Sequence, residues 1–181
     1  MKATGIVRRI DDLGRVVIPK EIRRTLRIKE GDPLEIFTNN NGEVIFKKYS
    51  PIGELSEFAT QYADTLARTS GQGVLITDKD SIIAVSGLPK KDLSDKKISP
   101  ELEAVMEEKT TFIKNPNDTK MVPVAEGNDK YSASVVAPII TEGDYIGSVI
   151  VIGADENYTT TEVETKLAQS AAGFLGKYME S

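Results

Sequence analysis

The stretch Gly14-Arg15-Val16-Val17-Ile18-Pro19-Lys20-Glu21-Ile22-Arg23-Arg24 decides how the first part of the chain folds. Val16, Val17 and Ile18 are a β-branched run, which suits a pleated, half-buried surface. Pro19 closes that strand and opens a helix, because its missing N–H and preset φ fit the first helical position. Beyond it come Arg23, Arg24 and Arg27, while Ile22, Leu26 and Ile28 supply an apolar side. The spacing predicts a strand that hands over to a short cationic helix over 20–28.

Outward from this stretch the signals are those of short strands and tight turns. Residues 4–10 alternate in part, with Ile6, Arg8 and Ile10 in step, and read as a strand. Asp11-Asp12-Leu13-Gly14 reads as a turn in which Gly14 takes a positive φ. Downstream, residues 33–37 and 43–49 read as a hairpin around Asn39-Asn40-Asn41-Gly42, since Asn-Gly favours the primed hairpin turns. Four short strands and about two turns of helix bury too little surface to stand alone, and oligomerisation is one remedy. A two-fold pairing would also bring two sets of arginines onto one surface, as a symmetric protein needs to meet a roughly symmetric duplex.

Charge is divided unevenly along the chain. The 181 residues carry a net charge of -5, yet residues 1–50 hold 11 Lys and Arg against 7 Asp and Glu. Six arginines, Arg8, Arg9, Arg15, Arg23, Arg24 and Arg27, lie in that segment, and only Arg68 lies beyond it. Arg is the residue suited to planar, bidentate contact with phosphate or a guanine edge. A merely solvated face explains scattered charge well and arginine clustering in one small segment poorly. The remainder is acidic.

Several chemistries lose their usual residues. With no Cys there is no disulfide, thiolate nucleophile or sulfur-bound metal. With no His, the commonest general base and the commonest zinc ligand are both gone. The carboxylates form no convergent constellation, so the expectation is a non-enzyme with no metal and no cofactor. No apolar run of about eighteen residues exists, and residues 1–5 have no secretory apolar core. The expected place is the cytoplasm, with no membrane partner.

Residues 4–19, together with Glu21-Ile22-Arg23-Arg24-Thr25-Leu26 and Lys47-Lys48-Tyr49, resemble the DNA-binding domain of the AbrB family. The resemblance covers essentially all of residues 1–50. It implies an interlaced dimer of swapped hairpins, double-stranded DNA as partner, and DNA contacts from Arg8, Arg15, Arg23 and Arg24. Arg9 joins them on charge and proximity alone, whereas Arg27 fits an outer face equally well. Members are bacterial transition-state and sporulation regulators, which implies a nucleoid-associated protein, here of the forespore. MazE-type antitoxins share the fold, so fold alone does not settle function.

Ser50-Pro51-Ile52-Gly53 is a break, and the expected division is 1–50 for the DNA-binding domain, 51–55 for a linker and 56–181 for a second domain. Leu55, Phe58, Ala59, Tyr62, Ala63 and Leu66 make one apolar face of a helix, as core, as an intermolecular seam, or as both. Residues 73–78 and 81–86 read as a hairpin, and 90–97 as a solvated charged loop. Ser99-Pro100-Glu101 starts a helix to about 109. Residues 110–113 and 121–124 are short strands or irregular, while 131–140 and 145–152 are strands. Thr161-Glu162-Val163-Glu164 reads as a capping box opening a last helix, with Val163, Leu167, Ala171, Phe174, Leu175 and Tyr178 on one face.

That order predicts an antiparallel sheet with helices against it, so the whole chain is α+β. The second domain resembles a GAF domain, which implies a small-molecule pocket opposite its first and last helices. No ligand residue is named for it, and assembly alone and sensing both stay open. The expected protein is a transcription regulator that activates or represses, a dimer through its first domain and a tetramer through its second. The alternative is a MazE-like antitoxin that binds a toxin and its own operator.

Overall fold

The computed structural model describes residues 4–154 and 158–180, which fall into two units, Met1–Tyr49 and Ser50–Ser181. Residues 1–3, read above for a leader, lie outside the described residues.

The first unit holds α1 (Lys20–Thr25), β1 (Leu34–Thr38) and β2 (Val44–Lys48). β1 and β2 pair antiparallel from Leu34 opposite Lys48 to Thr38 opposite Val44. The Asn39 side chain closes their turn, its Oδ1 accepting from the backbone N–H groups of Asn41 and Glu43 at 3.1 and 3.0 Å. The strands expected over 4–10 and 15–18 are not strands here. They run without a ladder, joined by the Asp11 N–H donating to the Arg15 carbonyl at 3.0 Å. Alternation sets which way side chains face, whereas a strand also needs a partner, and one copy of the chain supplies none.

The helix is shorter than its spacing implied, and Pro19 sits at its N-cap rather than inside it. It ends because Arg27 turns left-handed at φ 52. Ile28 N–H then reaches the Arg23 carbonyl at 2.7 Å, and Arg27 N–H the Arg24 carbonyl at 3.3 Å. Those two bonds are the Schellman closure, made here without the usual glycine.

In the second unit β4 (Ile82–Ser86), β3 (Gly73–Asp78), β9 (Asp144–Ile152), β8 (Val135–Thr141) and β5 (Phe112–Ile113) form, in that order, one five-stranded sheet. All its pairings are antiparallel. Period-two alternation sorts its residues between two cores. Val74, Ile76, Val149 and Val151 face α2 (Ser56–Ser70) and α5 (Glu162–Met179), meeting Ala59, Ala63, Ala168, Ala171, Ala172 and Leu175. Leu75, Ile150 and Ile152 face the other way, toward Leu102, Val105 and Met106 of α4 (Pro100–Glu107). The small alanines let both helices lie close on the sheet.

Three local expectations change. Within 51–55, expected as a linker, Ile52–Leu55 form a 3-10 turn whose Ile52 is fully buried in the second unit. Within 90–97, Lys90–Leu93 form α3, because Leu93 is a buried anchor inside the charged run. Asp92 there accepts the Tyr131 hydroxyl at 3.1 Å. The strand expected over 131–140 is two strands, β7 (Asn128–Ser132), paired with β6 (Pro123–Ala125), and β8. It breaks where partners change: Ala133 N–H reaches the Val122 carbonyl, and Ser134 N–H reaches that of Val151 on β9.

The starts of both later helices are as read. Ser99 Oγ accepts from Leu102 N–H at 2.9 Å, with Pro100 following. Thr161 and Glu164 form the reciprocal capping box, with Thr161 N–H at 2.6 Å from Glu164 Oε2.

Candidate nucleic-acid interface

The candidate arginines come from three adjacent pieces of the first unit. Arg8 and Arg9 lie on the extended segment, Arg15 leaves the 11–14 turn, and Arg23 and Arg24 occupy the last turn of α1. All five are exposed. Among the described residues no hydrogen bond joins Arg8 or Arg9 to Arg23 or Arg24, so the set shares a unit rather than a network.

Arg15 is the exception in being held. Asp11 Oδ1 accepts from the backbone N–H of Leu13 at 3.0 Å and of Arg15 at 2.8 Å, an Asx turn. Its Oδ2 accepts from Arg15 Nε at 2.8 Å. The Arg15 backbone N–H, then its guanidinium, hold the Asp11 carboxyl below the ordinary carboxylate value against a small opposing effect of burial. Gly14 completes the turn at φ 77, a conformation open to glycine at no steric cost. Asp11 is therefore a positioning residue for Arg15, and the sequence reading passed over it. Its signal was present in Asp-x-x-Gly-Arg, an Asx residue with Arg four positions on.

Arg8, Arg9, Arg23 and Arg24 have no carboxylate partner among the described residues. Arg27 is half-buried, and its carbonyl accepts from Lys48 Nζ at 2.9 Å, which ties the end of α1 to β2. It serves the helix end. Four unpaired guanidiniums and one oriented one on a single small unit form a surface suited to phosphate, which fixes position, and to groove edges, which confer preference.

The same unit leaves aliphatic side chains in water. Val7 is 89% exposed, Ile10 and Leu13 70%, Val17 69%, Ile36 62% and Val44 61%. Exposed apolar area on this scale marks an interaction surface.

Residues 54–180 match a family model described as stage V sporulation protein T C-terminal, transcription factor. Residues 7–53 match one described as antidote-toxin recognition MazE, bacterial antitoxin. The stage V sporulation protein T of Bacillus subtilis (strain 168) is 55% identical over 181 residues, spanning 99% of both chains. The transition state regulatory protein AbrB of the same organism is 48% identical over 81 residues, which cover 41% of this chain and 77% of AbrB. A crystal structure of the GAF domain of an Acinetobacter phosphoenolpyruvate-protein phosphotransferase covers 69% of this chain and 81% of its own, at TM-score 0.57 and 12% identity. That last likeness shows a GAF fold for the second unit.

Proposed function

The chain belongs to the stage V sporulation protein T family of transcription factors, and on that premise we propose how it engages DNA. Residues 1–50 are the DNA-binding arm. Arg8, Arg9, Arg23 and Arg24 contact phosphates and groove edges, and Arg15 does so in the orientation that Asp11 gives it. A second copy pairs with the extended segments 4–10 and 15–18 as a swapped hairpin, supplies their missing ladder and covers Val7, Ile10 and Val17. The observation that carries this reading is the coincidence, on one small unit, of arginines without acid partners and aliphatics without cover.

Residues 56–181 are the regulatory and assembly domain. Phe58 and Tyr62 of α2 lie against Phe174 and Tyr178 of α5, with ring centroids 5.5 to 6.2 Å apart across the two helices. Phe174 remains 47% and Tyr178 50% exposed. This aromatic face joins two dimers into a tetramer, and the acidic domain stands away from the duplex because it repels phosphate. The protein acts by binding, on sporulation-stage genes in the cytoplasm of the forespore. The antitoxin reading is not favoured, because about seven-tenths of the chain, residues 54–180, matches a transcription-factor domain.

Duplex binding by the intact protein, followed by anisotropy across a salt series, tests this. A dimer making about 6–10 phosphate contacts loses roughly three to five decades of affinity between about 50 and 200 mM salt. Arg23→Ala is expected to weaken binding and to flatten that slope. No binding at low salt, or a slope indifferent to Arg23, overturns the assignment.

A further inference from the structure

The helix that carries Arg23 and Arg24 has little of its own to hold it. α1 is six residues long, buries no side chain in one copy of the chain and has no side-chain N-cap. So short a helix is marginal in isolation, and what fixes its direction lies at its ends. At the C-terminal end Arg27 N–H reaches the Arg24 carbonyl and Ile28 N–H the Arg23 carbonyl, so a turn of the 27–28 backbone moves both arginines. The Arg27 carbonyl in turn accepts from Lys48 Nζ at 2.9 Å. An ammonium there also meets the negative end of the helix dipole.

The strand that carries Lys48 is a firm base. Lys48 stands opposite Leu34 in the β1–β2 ladder, and the next residue continues the pairing, with Tyr49 N–H on the Pro33 carbonyl at 3.1 Å. The chain between α1 and β1 is closed by its own turn. Lys29 N–H donates to Asp32 Oδ2 at 2.8 Å, and Asp32 N–H to the Lys29 carbonyl at 3.2 Å. The adjacent lysine is placed differently, because successive strand side chains face opposite ways. Lys47 is exposed, its ammonium 4.7 Å from the Phe37 ring centroid, whereas Lys48 is half-buried. Two neighbours of equal charge thus differ in that Lys48 holds the helix end.

We infer that Lys48 is a positioning residue for DNA binding: its ammonium, on the Arg27 carbonyl, sets the direction in which α1 presents Arg23 and Arg24. The inference rests on the reading of those arginines as DNA contacts and adds the residue that aims them. Lys48 acts through the helix end and not on a phosphate of its own, a difference that a double-mutant cycle resolves.

Duplex affinity of the intact protein is read by anisotropy at low salt, where weakened variants remain measurable. Lys48→Met should weaken binding by about fivefold, the scale of one hydrogen bond. Combined with Arg23→Ala and Arg24→Ala it should cost less than about twofold, since the groups it aims are gone. Lys48→Arg, which still donates, should bind within about twofold of the unaltered protein. Lys47→Met, which removes an equal charge from the other face of β2, should cost less than Lys48→Met. In amide NMR, Lys48→Met should shift residues 24, 27 and 28 and retain the ladder of 34–48. If Lys48→Met loses that ladder, Lys48→Gln, whose shorter side chain also removes the tie, gives the same reading.

Equal losses with and without Arg23 and Arg24, equal losses in Lys47→Met and Lys48→Met, Lys48→Arg as weak as Lys48→Met, or unchanged affinity in Lys48→Met overturns the inference. The unaltered protein and Arg23→Ala separate the two readings. If the protein binds duplex and Arg23→Ala weakens it while the Lys48 variants do not, only the positioning assignment falls. If the protein does not bind at low salt, the regulator falls and the assignment with it.

Discussion

Asp11 does more in the candidate interface than its type suggests, because one carboxylate closes a turn and orients a guanidinium at once. It accepts two backbone N–H groups with one oxygen and Arg15 Nε with the other. Asp11→Asn keeps the turn's amide acceptor and loses the charge. The expected result is DNA affinity lower by about threefold with an unchanged salt slope, the scale of an exposed ion pair. Tighter binding would mean that Asp11 only repels phosphate. The pH dependence has a definite sign. The folded value is depressed, so the turn's contribution is full above the ordinary value of 3.8 and is lost as pH falls through the lower folded value. The Arg15 Nε–H resonance reports that loss. Asp11 was legible in the sequence as a turn former but not as a partner, since only the closed turn brings its second oxygen to Arg15.

At the scale of elements, α5 shows how a cap and a close approach fix one helix. Burial pushes the Glu164 carboxyl up, but hydrogen bonds from Thr161 and Tyr158 outweigh it and hold the value below 4.5. The Tyr158 hydroxyl is pushed up to about 12, first by its hydrogen bond to Glu164 and then by burial. Glu164 therefore stabilises fully above its ordinary value and fades as pH falls below it. Tyr158 stabilises fully below pH 10, and its share is lost as pH rises toward about 12. Tyr158→Phe should cost about 1–2 kcal/mol at pH 7 and remove that alkaline loss, as read from urea midpoints at neutral and alkaline pH.

Two glycines of α5 make a paired test. A Cβ at Gly176 would strike the Ile140 carbonyl oxygen of β8, whereas one at Gly173 meets nothing within 4 Å. Helix propensity favours Ala over Gly by about 1 kcal/mol at either site. Gly173→Ala should therefore stabilise by up to about that amount. Gly176→Ala should destabilise by about 1–3 kcal/mol, because overpacking against strand backbone outweighs the propensity gain. Thermal melts of the two variants check both. The capping box of α5 and its apolar periodicity were legible, because they act within a few residues. The division of the α5 face was not. Leu175 and Ala171 are buried on the sheet, while Val163, Phe174 and Tyr178 of the same expected stripe stay largely exposed.

At the scale of the molecule, the aromatic face of α2 and α5 carries the expectation for assembly. Phe58→Ala with Phe174→Ala should convert a tetramer into a dimer at micromolar concentration by light scattering, with the far-ultraviolet spectrum retained. The half-exposed rings contribute more to an interface than to the core, whose buried side of α2 is Ala59, Ala63, Leu66 and Ala67. A variant that remains tetrameric would place the assembly surface elsewhere, and one that falls to a monomer would remove the first unit as the dimer contact.

Residue type alone was enough for the two-part charge, the arginine-rich arm, the α+β character, the Ser99 and Thr161 caps and the turns at 11–14 and 39–42. These depend on residue type at short spacing, which needs no knowledge of distant chain. Tertiary structure decided which strands have partners. It paired 34–38 with 44–48, left 4–10 and 15–18 without a ladder, and split 128–141 where the partner changes from the β6 side to β9. It also decided that the Lys48 ammonium meets the Arg27 carbonyl, across 21 positions of chain. Pairing and convergence depend on the closure of long loops and on which faces find cover, and no local pattern encodes either.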